Sequence, residues 1–114
     1  MSRAELQGKR VLIVDGDFER RESLADAAAD AGAEVARAAG FKEALRLIAS
    51  AEQRGEDFHA VAAPALLPDG RQGADLAMRV ASLFGEEAPK VVVLENALLG
   101  GPDEEDALRH LAGA

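Results

Sequence analysis

The stretch from Lys9 to Asp17, KRVLIVDGD, constrains this chain more than any other. Its apolar run, Val11 to Val14, is enriched in β-branched residues and ends in a polar turn. A helix-like pattern follows. An uninterrupted apolar run of this kind marks a strand buried on both faces, as in the middle of a parallel sheet. The turn Asp15-Gly16-Asp17 then lies at the carboxyl end of a central strand, where open α/β sheets place their sites.

The rest of the chain supplies what such a strand needs. A first strand over about 9–15 leads to a helix over about 18–31, with Asp17 as its cap and Leu24, Ala27, Ala28 and Ala31 at helical spacing. Gly32 ends that helix. Ala33 to Ala38 forms a short, alanine-rich strand suited to a sheet edge. Phe41, Ala44, Leu45, Ile48 and Ala51 describe an amphipathic helix over about 41–53. Phe58 to Ala63 reads as a third strand. Pro64 to Gly73 reads as a loop, punctuated by two prolines and glycines. A third helix, about 73–84, carries Leu76, Val80, Leu83 and Phe84, and a valine-rich strand, Lys90 to Leu94, follows Pro89. Pro102 with Asp103 to Asp106 fits a helix start, since negative charge favours that end of the helix dipole. Strand and helix thus alternate four times. The order predicts a doubly wound α/β fold with a parallel sheet, covered on both faces and joined by right-handed crossovers.

Composition narrows the functions open to such a fold. The 114 residues suit one domain, and 48% hydrophobic residues suit a packed core. A net charge of -8 disfavours nucleic acid and anionic membrane surfaces. No cysteine is present, which excludes disulfides and thiolate metal sites. No apolar run approaches the roughly 20 residues that span a bilayer, and nothing resembles a signal peptide. A cytoplasmic protein is expected.

At this point the residues carry a family likeness. KRVLIVDGD, Leu67-Pro68-Asp69-Gly70 followed by Gly73, and the run from Pro89 to Ala97 resemble, in order and spacing, the response-regulator receiver (CheY-like) domains of two-component signalling. The resemblance covers about residues 8–114 and implies a flavodoxin-like, three-layer αβα fold of strand order 2-1-3-4, with residues 1–8 as lead-in or linker. The fifth strand and fifth helix of the family are absent from this sequence, so the domain is expected to be C-terminally incomplete. It would be excised from a longer protein, such as a hybrid histidine kinase or multidomain regulator, or would form a homodimer through its fourth-strand edge.

The resemblance also implies a site. Family members phosphorylate an aspartate after the third strand, using Mg²⁺ held by an acidic pair on the first strand and a threonine or serine after the fourth. Here Asp15 matches the first acid, Gly16 stands at the second, Pro64 at the phosphoacceptor and Glu95 at the switch position. No carboxylate lies between Val61 and Leu67. The expectation is a degenerate site with no catalytic residue and with Mg²⁺ binding lost or weak. Asp15 and Asp17 remain weak metal candidates, outweighed by roles at the strand end and as a helix cap. Asp69 reads as a turn residue, with a relocated phosphoacceptor as the alternative. Neither His59 nor His110 lies in a ligand-spaced motif. Ser23, Ser50 and Ser82 lack the partners of a nucleophile. The function expected is a pseudo-receiver that is not an enzyme. It would dock a histidine kinase core or another receiver through the helix face around Arg20 and Arg21 or through the fourth-strand region with Leu98 and Leu99. A sensor of a small nucleotide messenger is the alternative.

Overall fold

The structure, a computed structural model, describes residues 6–94 and 102–113, with side chains from residue 107 onward in the second segment. Glu95, Leu98 and Leu99 lie outside the described residues. The buried apolar run is β1 (Arg10–Val14). It is followed by α1 (Phe18–Asp30), β2 (Glu34–Ala38), α2 (Phe41–Gln53), β3 (Ala60–Pro64), α3 (Gly73–Phe84) and a short 3-10 turn at Gly85–Glu87. Then come β4 (Lys90–Leu94) and α4 (Pro102–Ala112). The four strands form one parallel sheet in the order β2-β1-β3-β4. This is the flavodoxin-like α/β architecture, without a fifth strand or fifth helix among the described residues.

Strand alternation divides the core in two. Val11 and Ile13 of β1, with Ala60 and Ala62 of β3, face α1 and α4. Leu24, Ala25 and Ala28 come from α1, and Ala107, Leu108 and Leu111 from α4. On the other side Leu12, Val14, Val61 and Ala63 meet Phe41, Ala44 and Ile48 of α2 and Leu76 and Val80 of α3. α1 is turned slightly from the expected face, so Ala25 is buried and Ala27 lies at the margin. Leu83, in the last turn of α3, is 56% exposed rather than part of the core.

Helix placement follows crossover handedness. The chain moves one way across the sheet through α1, then back through α2 and α3, so right-handed crossovers put α1 on the opposite face from the other two. α4 returns to the α1 face. Its last carbonyls are held at the amino end of the sheet, where His59 Nε2 donates to Leu111 O at 3.0 Å and Lys9 Nζ to Ala112 O at 3.4 Å. Donors and cations are favoured at a helix carboxyl end. A right-handed crossover to a strand beyond β4 would need its helix on the α3 face, and α4 lies on the other.

Two segments differ from expectation. β3 starts and ends later, so Pro64 is the last strand residue, paired with Leu94. Pairing with β1 stops at Ala62, so a residue without an N–H costs no ladder bond on that side. Leu6, within the expected lead-in, is fully buried, and its N–H donates to Ala31 O at 3.0 Å. An apolar side chain there fills the seam between α1 and α4.

One electrostatic conflict lies at the end of α2. The Glu52 carboxyl is pushed up to about 7 by hydrogen bonding with Glu87, then by partial desolvation and the charge of Asp57. The folded state therefore binds a proton more tightly than the unfolded chain between pH 4.5 and about 7, and stability falls as pH rises through that window. Glu52→Gln should remove this dependence. The difference in Tm between variant and wild type should widen in favour of the variant from pH 4.5 to 7, read by circular dichroism.

Candidate functional site: the carboxyl end of the sheet

Asp15 leaves β1 at its carboxyl end, its N–H donating to Ala38 O of β2 at 3.0 Å. The residue is only 5% exposed, and it is the buried charged residue of the described core. A carboxylate out of water must be paired. Arg20, in the first turn of α1, donates Nε to Oδ2 at 3.1 Å and Nη2 to Oδ1 at 3.0 Å. This is a bidentate fork, the strongest common carboxylate contact. The Asp17 N–H adds a third bond to Oδ1 at 2.9 Å. Hydrogen bonding to Asp15 raises the Arg20 pKa further, so the guanidinium stays charged.

The neighbouring oxygens are also engaged. Arg21 Nη1 donates to the Asp15 carbonyl at 2.8 Å. Asp17 caps α1 as expected, its Oδ1 accepting from Arg20 N at 2.9 Å, while Oδ2 stands 3.8 Å from Arg20 Nη1. Arg20 and Arg21 thus turn inward over β1 and do not form the open docking face expected for them. Their side chains are 29% and 16% exposed. The buried carboxylate draws them in.

The expected loop after β3 is a small hairpin. Leu66 pairs with Gln72, Leu67 N donates to Arg71 O at 2.7 Å, and Gly70 N to Leu67 O at 3.2 Å. Pro68, Asp69 and Gly70 form its three-residue loop, with Gly70 in the left-handed region at φ 79°. Leu67 is buried and anchors the hairpin in the α2–α3 side of the core. The tip then bridges two other turns. Pro68 lies against Gly16, where a Cβ would sit 2.6 Å from the Pro68 Cγ. Asp69 Oδ2 accepts from Phe41 N at 3.1 Å, serving the first turn of α2, whose own cap, Gly40, has no side chain to do so. Arg71 stacks over the Phe41 ring, 4.7 Å from its centre.

The structure therefore brings together Asp15, Gly16, Asp17 and the turn after Pro64. It adds Arg20, Arg21, Pro68 and Asp69 as the groups that fill the site. Asp69, exposed at the hairpin tip, gives one carboxylate oxygen to the first turn of α2. His59 and His110 belong to α4 and its docking at the other end of the sheet. With its oxygens engaged by Arg20, Arg21 and the Asp17 N–H, the donor set as folded does not suit the divalent ion that a receiver site implies. One carboxylate remains on β1, its oxygens are on N–H donors, and Gly16 and Pro64 offer no ligand. No group of three or more His, Asp or Glu side chains suited to a metal occurs among the described residues.

Gly16→Ala should destabilise the protein by about 1–3 kcal/mol, because a rigid proline ring blocks the added methyl. The double variant Gly16→Ala/Pro68→Ala should recover most of that loss in urea denaturation. Asp69→Ala should cost about 1 kcal/mol through the lost α2 cap.

No family model and no curated protein matches the chain. Solved structures do. The receiver domain of the histidine kinase CKI1 from Arabidopsis thaliana, complexed with Mg²⁺, is 23% identical with a TM-score of 0.69, over 98% of this chain and 83% of that one. The chemotaxis response regulator CheY4 of Vibrio cholerae is 23% identical with a TM-score of 0.62, over 93% and 81%. The response regulator PhyR from Brucella abortus is 20% identical with a TM-score of 0.67, over 96% of this chain and 49% of that longer one. With its sheet order, its two-sided helical cover and the position of its acidic turn, the chain has the CheY-like receiver fold.

Proposed function

We propose that this chain is a pseudo-receiver, a module of two-component signalling that acts by protein contact without phosphoryl transfer. The observation that carries the reading is the bidentate Arg20–Asp15 pair. The acid that would hold a metal is already neutralised by a side chain of the same domain. Phosphoryl transfer to a carboxylate needs a divalent metal, cations on the transferring group and a nucleophile in line. Pro64 supplies no nucleophile at the expected place, and the hairpin tip occupies the space beside Gly16. The module is not an enzyme in this reading. It spans residues 9–114, works in the cytoplasm as part of a longer signalling protein, and docks a histidine kinase core or another receiver.

Incubation of the protein with acetyl phosphate and Mg²⁺, followed by intact mass spectrometry, should show no gain of a phosphoryl group. A hydroxylamine-labile phosphoryl adduct on an aspartate would overturn the proposal. An adduct lost in Asp69→Asn would establish Asp69 as a relocated acceptor instead.

A further inference from the structure

We infer that Arg20 is the resident cation of this site, a guanidinium built into the chain where a receiver takes up a divalent metal. The inference rests on the pseudo-receiver reading and sharpens it: the site has been refilled, and not merely stripped of ligands. Three kinds of oxygen at the β1–α1 turn suit a hard cation, namely the Asp15 carboxylate, the Asp15 carbonyl and the Asp17 carboxylate. Each is engaged by α1. Arg20 takes both Asp15 carboxylate oxygens, at 3.0 and 3.1 Å. Arg21 takes the carbonyl at 2.8 Å. The Arg20 backbone N–H takes the Asp17 carboxylate at 2.9 Å.

A metal entering this turn would have to break the fork and leave a charged guanidinium beside it. Arg20 cannot relieve that repulsion by losing its proton. The pair is part-buried on the Asp15 side, so a metal reaching that carboxylate would have to displace two charge-assisted hydrogen bonds. The refilled site is also closed to simple reversal. A second acid at position 16 would place its Cβ 2.6 Å from the Pro68 Cγ, so the ligand lost at Gly16 and the seating of the hairpin exclude each other. Asp15 is thus neutralised at all times, and the turn holds one state regardless of the Mg²⁺ around it.

The test is thermal unfolding of the full chain with MgCl₂ against NaCl of equal ionic strength, for wild type, Arg20→Ala and Asp15→Asn/Arg20→Ala. Wild type should show no Mg²⁺-specific change in Tm. Arg20→Ala should melt lower and regain several degrees with millimolar Mg²⁺, since an ion that binds only the folded state stabilises it by mass action. The double variant should fold and ignore Mg²⁺. If Arg20→Ala is unfolded without the ion, refolding on Mg²⁺ supports the inference and failure to refold, with the double variant folded, overturns it. A Tm rise with Mg²⁺ in wild type as large as in Arg20→Ala also overturns it, as does a folded Arg20→Ala that ignores Mg²⁺. Neither result depends on phosphorylation, so this inference can fail while the pseudo-receiver reading stands. The acetyl phosphate experiment can overturn that reading independently.

Discussion

A carboxylate taken out of water has to find a cation or strong donors, and at the end of β1 that demand organises the carboxyl end of the sheet. Asp15 is placed there by the register of the central strand and has little solvent of its own. Arg20 meets the demand from the first turn of the following helix. In doing so it fixes the angle at which α1 leaves the sheet, because a bidentate fork sets direction as well as distance. Arg21 follows onto the adjacent carbonyl. Two cations that sequence alone would assign to solvent become part of the turn.

The hairpin after β3 completes the arrangement from the other side. Its buried Leu67 roots it in the α2–α3 half of the core, and its tip reaches the β1–α1 and β2–α2 turns together. The three described turns at this end of the sheet are therefore cross-braced, and each brace uses a different interaction. One is an ion pair, one is proline packed on glycine, and one is a carboxylate serving a helix amino end. None of these needs a ligand. An end of the sheet that in an α/β fold usually stays open for chemistry is here held by the chain itself.

Much of the fold could be read from the residues. The buried strand at Val11 to Val14 and the alternation of strands and helices follow from period and run length, and the sheet order from the family resemblance. The extents of α2, α3 and β4 follow too, because each has a clear apolar face or a clear break. The end of β3 was harder, since a proline suggests a loop. It survives in the strand because its neighbour on one side has already stopped pairing. Gly16 and Pro64 stand in the sequence itself, but the groups packed around them do not show there. The Asp15–Arg20 contact spans the junction of a strand and a helix, where no fixed spacing rule applies, and the bracing by Pro68 and Asp69 depends on how a hairpin folds across two distant turns. Such contacts are set by tertiary placement, which residue patterns record only indirectly.

The placement of α4 has a separate consequence. Its final carbonyls meet Lys9 and His59, and Leu6 packs into the same half of the core as Leu108 and Leu111. The chain's path into β1 and its path out of α4 therefore run side by side, at the pole of the domain away from Asp15. A unit wired in this way can be threaded into a larger polypeptide like a bead whose two holes are adjacent. Any neighbours along the chain would be tethered at that one pole, away from Asp15.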